Sequence, residues 1–215
     1  MTLRTSILLC TCLLLLFTTS FAQQRAPRYF SEKLLQLKID SLRSNFGMHK
    51  TLPEKYELEA LIALSYFPEL EQSTINFKIK KIRSTMAARP AGIQFLRGKG
   101  KRKYNVILNN SNPEVPLDSA SFNAKIGIIG HEFAHIVDYE NKSTLKLISN
   151  AFGYANSKFR AKFEKDTDRR TISHGLFWQC FDFSSFAFHY HKANPRYLEY
   201  KRKYYLSPEE IMKLE

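Results

Sequence analysis

Three features are scarce in this chain, and each scarcity removes a class of explanation. Cysteine occurs three times in 215 residues, and two of the three, Cys10 and Cys12, fall within the first 22. Once those residues are removed, Cys180 stands alone, so no internal disulfide framework can hold the fold together. Its neighbours Phe177, Trp178 and Phe181 make a buried, inert thiol the expected state rather than a nucleophile. Apolar runs of membrane-spanning length are absent beyond the first segment, which excludes a polytopic membrane protein. Acidic residues are few: 20 against 33 basic ones, a formal net charge of +13. That excess predicts attraction to anionic surfaces or substrates and says nothing about fold. The composition is 44% hydrophobic, 13% aromatic and 25% charged, which is that of a globular protein.

Residues 1–22 have the form of a secretory signal. Arg4 is the basic start, an apolar stretch runs from Ile7 to Phe17, and Ser20-Phe21-Ala22 supplies small residues where signal peptidase cuts. An uncleaved N-terminal membrane anchor is the minority reading, because the apolar stretch is short for a spanning helix. Cleavage leaves a net charge of +12 and predicts a periplasmic or secreted protein. Residues 23–30 are expected to be a flexible leader, 31–206 a single domain, and 207–215 a short C-terminal helix or tail.

The chain is organised around His131-Glu132-Phe133-Ala134-His135. Histidines at i and i+4 lie one above the other on a helix, so both imidazoles reach one metal ion. Glu132 between them is of the type that takes a proton from a metal-activated water. Ile128, Ile129, Ile136 and Val137 make the segment apolar, as a helix buried beneath an active site must be. The plain alternative is a core helix with two incidental histidines.

Upstream, helical periodicity is read from Ser31 to near Gly47 and from Pro53 to Pro68. Alternation predicts strands at 75–82, 93–96 and 104–109, the last two joined as a hairpin by the turn at 98–101. The third strand is the candidate for an exposed edge beside the metal, where an extended peptide could pair. Arg97, Lys99, Lys101, Arg102 and Lys103 cluster at that turn and are expected to form a solvated charged face. Asp118 or Ser119 caps the following helix, which runs to about Glu140.

A zinc hydrolase needs a third protein ligand and an open position. Asp138, Glu164, Asp168 and His174 compete for it. Glu164 and Asp168 lie at i and i+4 of a helical stretch over 159–170, so one could bind metal while the other orients a ligating imidazole. His174 is the rival ligand, and otherwise a candidate to stabilise the oxyanion, with Tyr154 and Tyr139 behind it. The plain reading of Glu164 and Asp168 is a solvated charged helix. The metzincin spacing is absent, since Asp138 and Asn141 stand where glycine and histidine would be needed.

The pair His131-Glu132-x-x-His135 and Glu164-x-x-x-Asp168 resembles the gluzincin pattern of thermolysin-like and CAAX-prenyl-protease-like peptidases. Thr167 departs from the small residue usual before that Asp. The resemblance implies that His131, His135 and Glu164 hold one Zn2+ per chain. It implies Glu132 as general base and Asp168 as a partner of His131. It also implies an α+β, zincin-like domain: a small sheet of about three strands packed on the active-site helix, with further helices before and after.

The aromatic stretch at 176–190 is expected to close the core over that helix, with His189 and His191 at the surface. Residues 192–205 are rich in Lys, Arg and Tyr; an exported protein meets little nucleic acid, so an anionic envelope or acidic partner fits better. Together these features predict a secreted zinc metalloendopeptidase acting on peptide or protein substrates. The rival is a basic, non-enzymatic envelope-binding protein with a structural or vestigial zinc site.

Overall fold

A computed structural model describes residues 24–111 and 114–215, so the signal read at 1–22 lies outside the described residues. The chain is mixed α and β, with a four-stranded sheet among the described residues. Helices α1 (Glu32–Gln36) and α2 (Ile39–Phe46) divide the first helical stretch at Leu37, which is largely exposed. Ser31 caps α1, accepting from the Leu34 N–H. Strand β1 (Lys50–Thr51) precedes α3 (Glu57–Leu64), whose seven residues from Leu58 are all buried.

Strand β2 (Thr74–Lys80) buries Ile75 and Phe77 and then emerges, ending before the expected Ile82. Strand β3 (Met86–Pro90) follows, then β4 (Lys103–Asn109), which buries Tyr104, Val106 and Leu108 at every second position. The order is β1-β2-β4-β3: β2 runs parallel to both β1 and β4, and β3 is antiparallel to β4. Two expectations are corrected. Residues Gly92–Leu96 form a 3-10 turn, because Gly92 takes a left-handed φ of 56° and breaks the extension. Ile93 and Leu96 are accordingly exposed. The third expected strand, β4, is interior, and the edge beside the helix that carries His131 and His135 is β3.

Helix α4 (Phe122–Glu140) carries the His-Glu-x-x-His sequence and is buried almost throughout. Its cap is Ser121, which accepts from the Ala124 N–H; Asp118 and Ser119 sit in a preceding 3-10 turn. The sheet covers one side, with Phe77 edge-on to Phe133. Helices α3, α6 (Ser157–Ser173) and α7 (Phe177–His189) also pack on α4. Helix α5 (Thr144–Gly153) lies between α4 and α6, and α8 (Pro195–Tyr204) and α9 (Pro208–Met212) follow α7. Helix α7 forms the expected aromatic closing layer, with Cys180 buried in it and burial pushing its thiol well up.

The approach of α7 depends on a glycine. A Cβ on Gly127 would lie 2.0 Å from the Gln179 carbonyl oxygen, a backbone atom with no room to yield. Gly127→Ala is therefore expected to cost about 3 kcal/mol by overpacking. That corresponds to a melting temperature lower by roughly 6–12 °C, checked by thermal unfolding. An unchanged melting temperature would refute the contact.

The segment after residue 23 is not a flexible leader. Ala26 is buried and its N–H donates to the Gly175 carbonyl, the Pro27 carbonyl accepts from Gln179, and Arg28 pairs with Asp182 at 2.9 Å. At the other end α9 is fixed by a capping box between Ser207 and Glu210 and buries Ile211 against Phe177 and Leu206. The basic cluster is split as well. Arg102 is only 2% exposed and donates to the carbonyls of Tyr139 and Lys142, closing the C-terminal end of α4.

Candidate metal centre

Helices α4 and α6 bring His131, His135 and Glu164 together, all buried, with one ligand atom of each within 4.8 Å of the others. Glu164 Oε2 lies 3.3 Å from His131 Nε2 and 3.4 Å from His135 Nε2. Bonds of about 2.0–2.2 Å to zinc place neighbouring ligand atoms of a tetrahedron roughly 3.3–3.6 Å apart. The separations match that edge and are long for charge-assisted hydrogen bonds.

The outer hydrogen bonds settle which ring nitrogens face inward. His131 Nδ1 lies 2.8 Å from Asp168 Oδ1, so Nδ1 carries the proton and Nε2 presents a lone pair. Asp168 is held in turn by the Leu206 N–H at 2.9 Å. His135 Nδ1 lies 3.3 Å from Thr167 Oγ1, whose hydroxyl proton goes to the Phe163 carbonyl, so Nδ1 is again the donor. Tyr154 donates its hydroxyl to Glu164 Oε1. Three acceptors therefore converge on one point, and a cation must neutralise them, either a proton or a metal ion. Burial alone would push the His131 imidazole down; its bonds to Asp168 and Glu164 overcome that and raise it to about 10. Burial likewise pushes the Glu164 carboxyl up, and the His135 and His131 imidazoles overcome it to hold it well below the usual range. The donor set fits zinc: two imidazoles and a carboxylate, each backed by a second hydrogen bond.

Glu132 lies on the same side and is not among the convergent three. Its Oε2 accepts from the Ala88 N–H of edge strand β3, and the Tyr139 hydroxyl donates to the Ala88 carbonyl at 3.4 Å. Burial raises the Glu132 carboxyl above its ordinary value, which makes it a stronger base. His131, Glu132, His135 and Glu164 line a cavity of about 1370 Å³, whose wall includes residues of β3, α5 and α8.

Other candidates lie elsewhere. His174 ends α6 and is stacked on Phe67; its Nδ1 lies 2.8 Å from the Arg170 carbonyl and its Nε2 2.6 Å from Glu69. It is six residues beyond Asp168, about 9 Å further along the helix axis, and lines no part of the cavity. The expectation that it ligates or stabilises an oxyanion is corrected on that geometry. Asp138, expected on the helix surface, is buried between Arg170 at 3.0 Å and Lys142, joining α4 to α6. His189 and His191 are exposed.

Thr167, behind His135, shares the Glu164 face at i+3. Two cavity residues were not singled out by sequence. Tyr205 tilts toward His131 with ring centres 5.8 Å apart, and Lys201 reaches the cavity from α8. Both belong to a stretch whose basic and aromatic composition resembled a surface patch.

No family model, curated protein or solved structure matches the chain.

Proposed function

We propose that this chain is an exported zinc-dependent metallopeptidase of gluzincin type, in which His131, His135 and Glu164 hold the metal. The observation that carries this reading is the convergence of two imidazole lone pairs and one carboxylate oxygen at tetrahedral separations, with Glu132 beside them on the cavity wall. Zinc bound there would polarise a peptide carbonyl and lower the pKa of water at the open coordination position.

The protein's own groups supply the rest. Glu132 takes a proton from the attacking water and returns it to the leaving amine. Asp168 and Thr167 keep the imidazoles in the tautomer that faces inward. Tyr205 has its phenol pushed well up by burial, so it stays protonated and is the candidate donor to the developing oxyanion. Strand β3 lies at the sheet edge along the cavity, and an extended peptide adding to it at Ala88 would have to displace Glu132 and Tyr139 from that residue's N–H and carbonyl.

The alternative, a basic envelope-binding protein with structural zinc, requires a closed site of four protein ligands. The described cluster has three, and His174 is committed to Glu69 and Arg170.

Elemental analysis of purified residues 23–215 is expected to find one zinc per chain, retained in His174→Ala. Chelation should abolish hydrolysis of a peptide library, and zinc should restore it. Zinc at roughly 100 times its dissociation constant stabilises by about 2.7 kcal/mol, so the melting temperature should rise about 5–10 °C. A protein that takes up no zinc, or one whose hydrolysis survives chelation, would end this reading.

A further inference from the structure

Lys201 is a charged side chain in the wrong surroundings for a structural residue. It is 7% exposed, yet its Nζ makes no ion pair or hydrogen bond with any described residue. Its contacts are aromatic: Nζ lies 3.6 Å from the Tyr205 ring centre and 5.3 Å from that of Phe183. Such contacts offset only part of the cost of removing an ammonium from water. Buried lysines are otherwise paired. The acids nearby are committed: Asp168 to His131 and the Leu206 N–H, Glu164 to both imidazoles and Tyr154, and Glu132 to the Ala88 N–H.

The ammonium borders the same cavity as the metal centre, and Tyr205 spans the gap between them, touching Lys201 on one side and tilting toward His131 on the other. Arg83, Arg89 and Arg196 also line this cavity, are exposed, and enter no ion pair with a described residue. These exposed guanidinium groups can attract anions to the wall, which also carries the carboxylate of Glu114, and Lys201 adds one largely buried cation.

We propose that Lys201 receives a carboxylate of the substrate, so that the cavity selects peptides presenting an anionic group near the bond to be cut. The carboxylate is either the C-terminal one or an acidic side chain. The inference rests on the peptidase reading for its substrate class, and its test reads binding, so that each can fail alone.

The probes are four fluorescein-labelled peptides. One is Ala-Ala-Phe-Leu-Ala-Ala with a free carboxylate and one is its C-terminal amide; two further amides carry Glu or Gln after Phe. Binding is measured by anisotropy to zinc-loaded Glu132→Gln protein, with and without Lys201→Met. A carboxylate peptide is expected to bind at least about tenfold tighter than its neutral twin, as charge-assisted bonds in a dry site should give. Lys201→Met should bring that ratio to within about twofold of one, and Lys201→Arg should restore it. Which twin pair shows the ratio identifies the carboxylate. A ratio that survives Lys201→Met, or none in the parent, overturns the inference. Lys201→Met should also leave the melting temperature without peptide within a few degrees of the parent, because the burial of the cation is set against its attraction to Asp168, Glu164 and Glu132. A larger fall would show that the lysine serves the fold and would overturn the inference too.

Discussion

Glu132→Gln is expected to lower kcat/KM for peptide hydrolysis by about 10²–10⁴-fold, the range lost with a general base, while the protein keeps its fold and its zinc. The substitution preserves shape. The Gln carbonyl still accepts from the Ala88 N–H, the one hydrogen bond that fixes Glu132 in place. It also removes a carboxylate whose charge is disfavoured by burial, so stability should hold or increase. His131, His135 and Glu164 are untouched. Kinetics on one cleaved peptide beside zinc content of the same preparation decide the matter. Activity within tenfold of wild type would remove Glu132 from the base role. Loss of zinc would mean that it ligates.

How far the candidate site was visible in advance depends on the range of the interactions involved. The helix that carries His131 and His135 was legible because its residues act on their own element: the two histidines need only helical spacing to share a face, and the apolar residues around them need only burial. Glu164, Thr167 and Asp168 share one face for the same reason. Strands β2 and β4 showed themselves by alternation. Strand β3 did not, since Met86-Ala87-Ala88-Arg89-Pro90 has two alanines and a proline and little intrinsic preference for extension. It is a strand because β4 pairs with it and because Glu132 and Tyr139 bind Ala88 on its outer side.

The segment at 24–30 was illegible for the same reason. Its partners Asn123, Gly175, Gln179 and Asp182 lie roughly a hundred residues or more away in sequence. Lys201 carries the lesson furthest. In sequence it is one of several cations between 192 and 205, and only the packing of α8 against α6 and α7 separates it from Arg202 and Lys203, which face outward. Composition counts charges, but burial decides which of them can select a ligand.

The ligand set makes the second large prediction, and it is one of order. Asp168→Ala is expected to weaken zinc binding by about 10–100-fold, the usual effect of removing a group that orients a ligating histidine. Glu164→Ala should weaken it by more, because it deletes a donor atom outright and leaves two imidazoles where three ligands stood. The metal-free proteins should differ in the opposite sense. Without metal, Glu164 is balanced by His131 and His135 and bonded by Tyr154, so its removal takes away one side of a buried ion pair, a change that costs about 3–5 kcal/mol. It also takes away the reason for that cost, since both imidazoles can then be neutral. Asp168 has only a partial release: His131 can drop its Nδ1 proton and keep one on Nε2 toward Glu164, but the buried Leu206 N–H is left with no other acceptor among the described residues. Zinc titrations and melting curves of the metal-free proteins should therefore rank the two variants oppositely, Glu164→Ala worse for metal and Asp168→Ala worse for the fold. Equal effects in both measurements would mean that Glu164 is no closer to the metal than its neighbour one turn along.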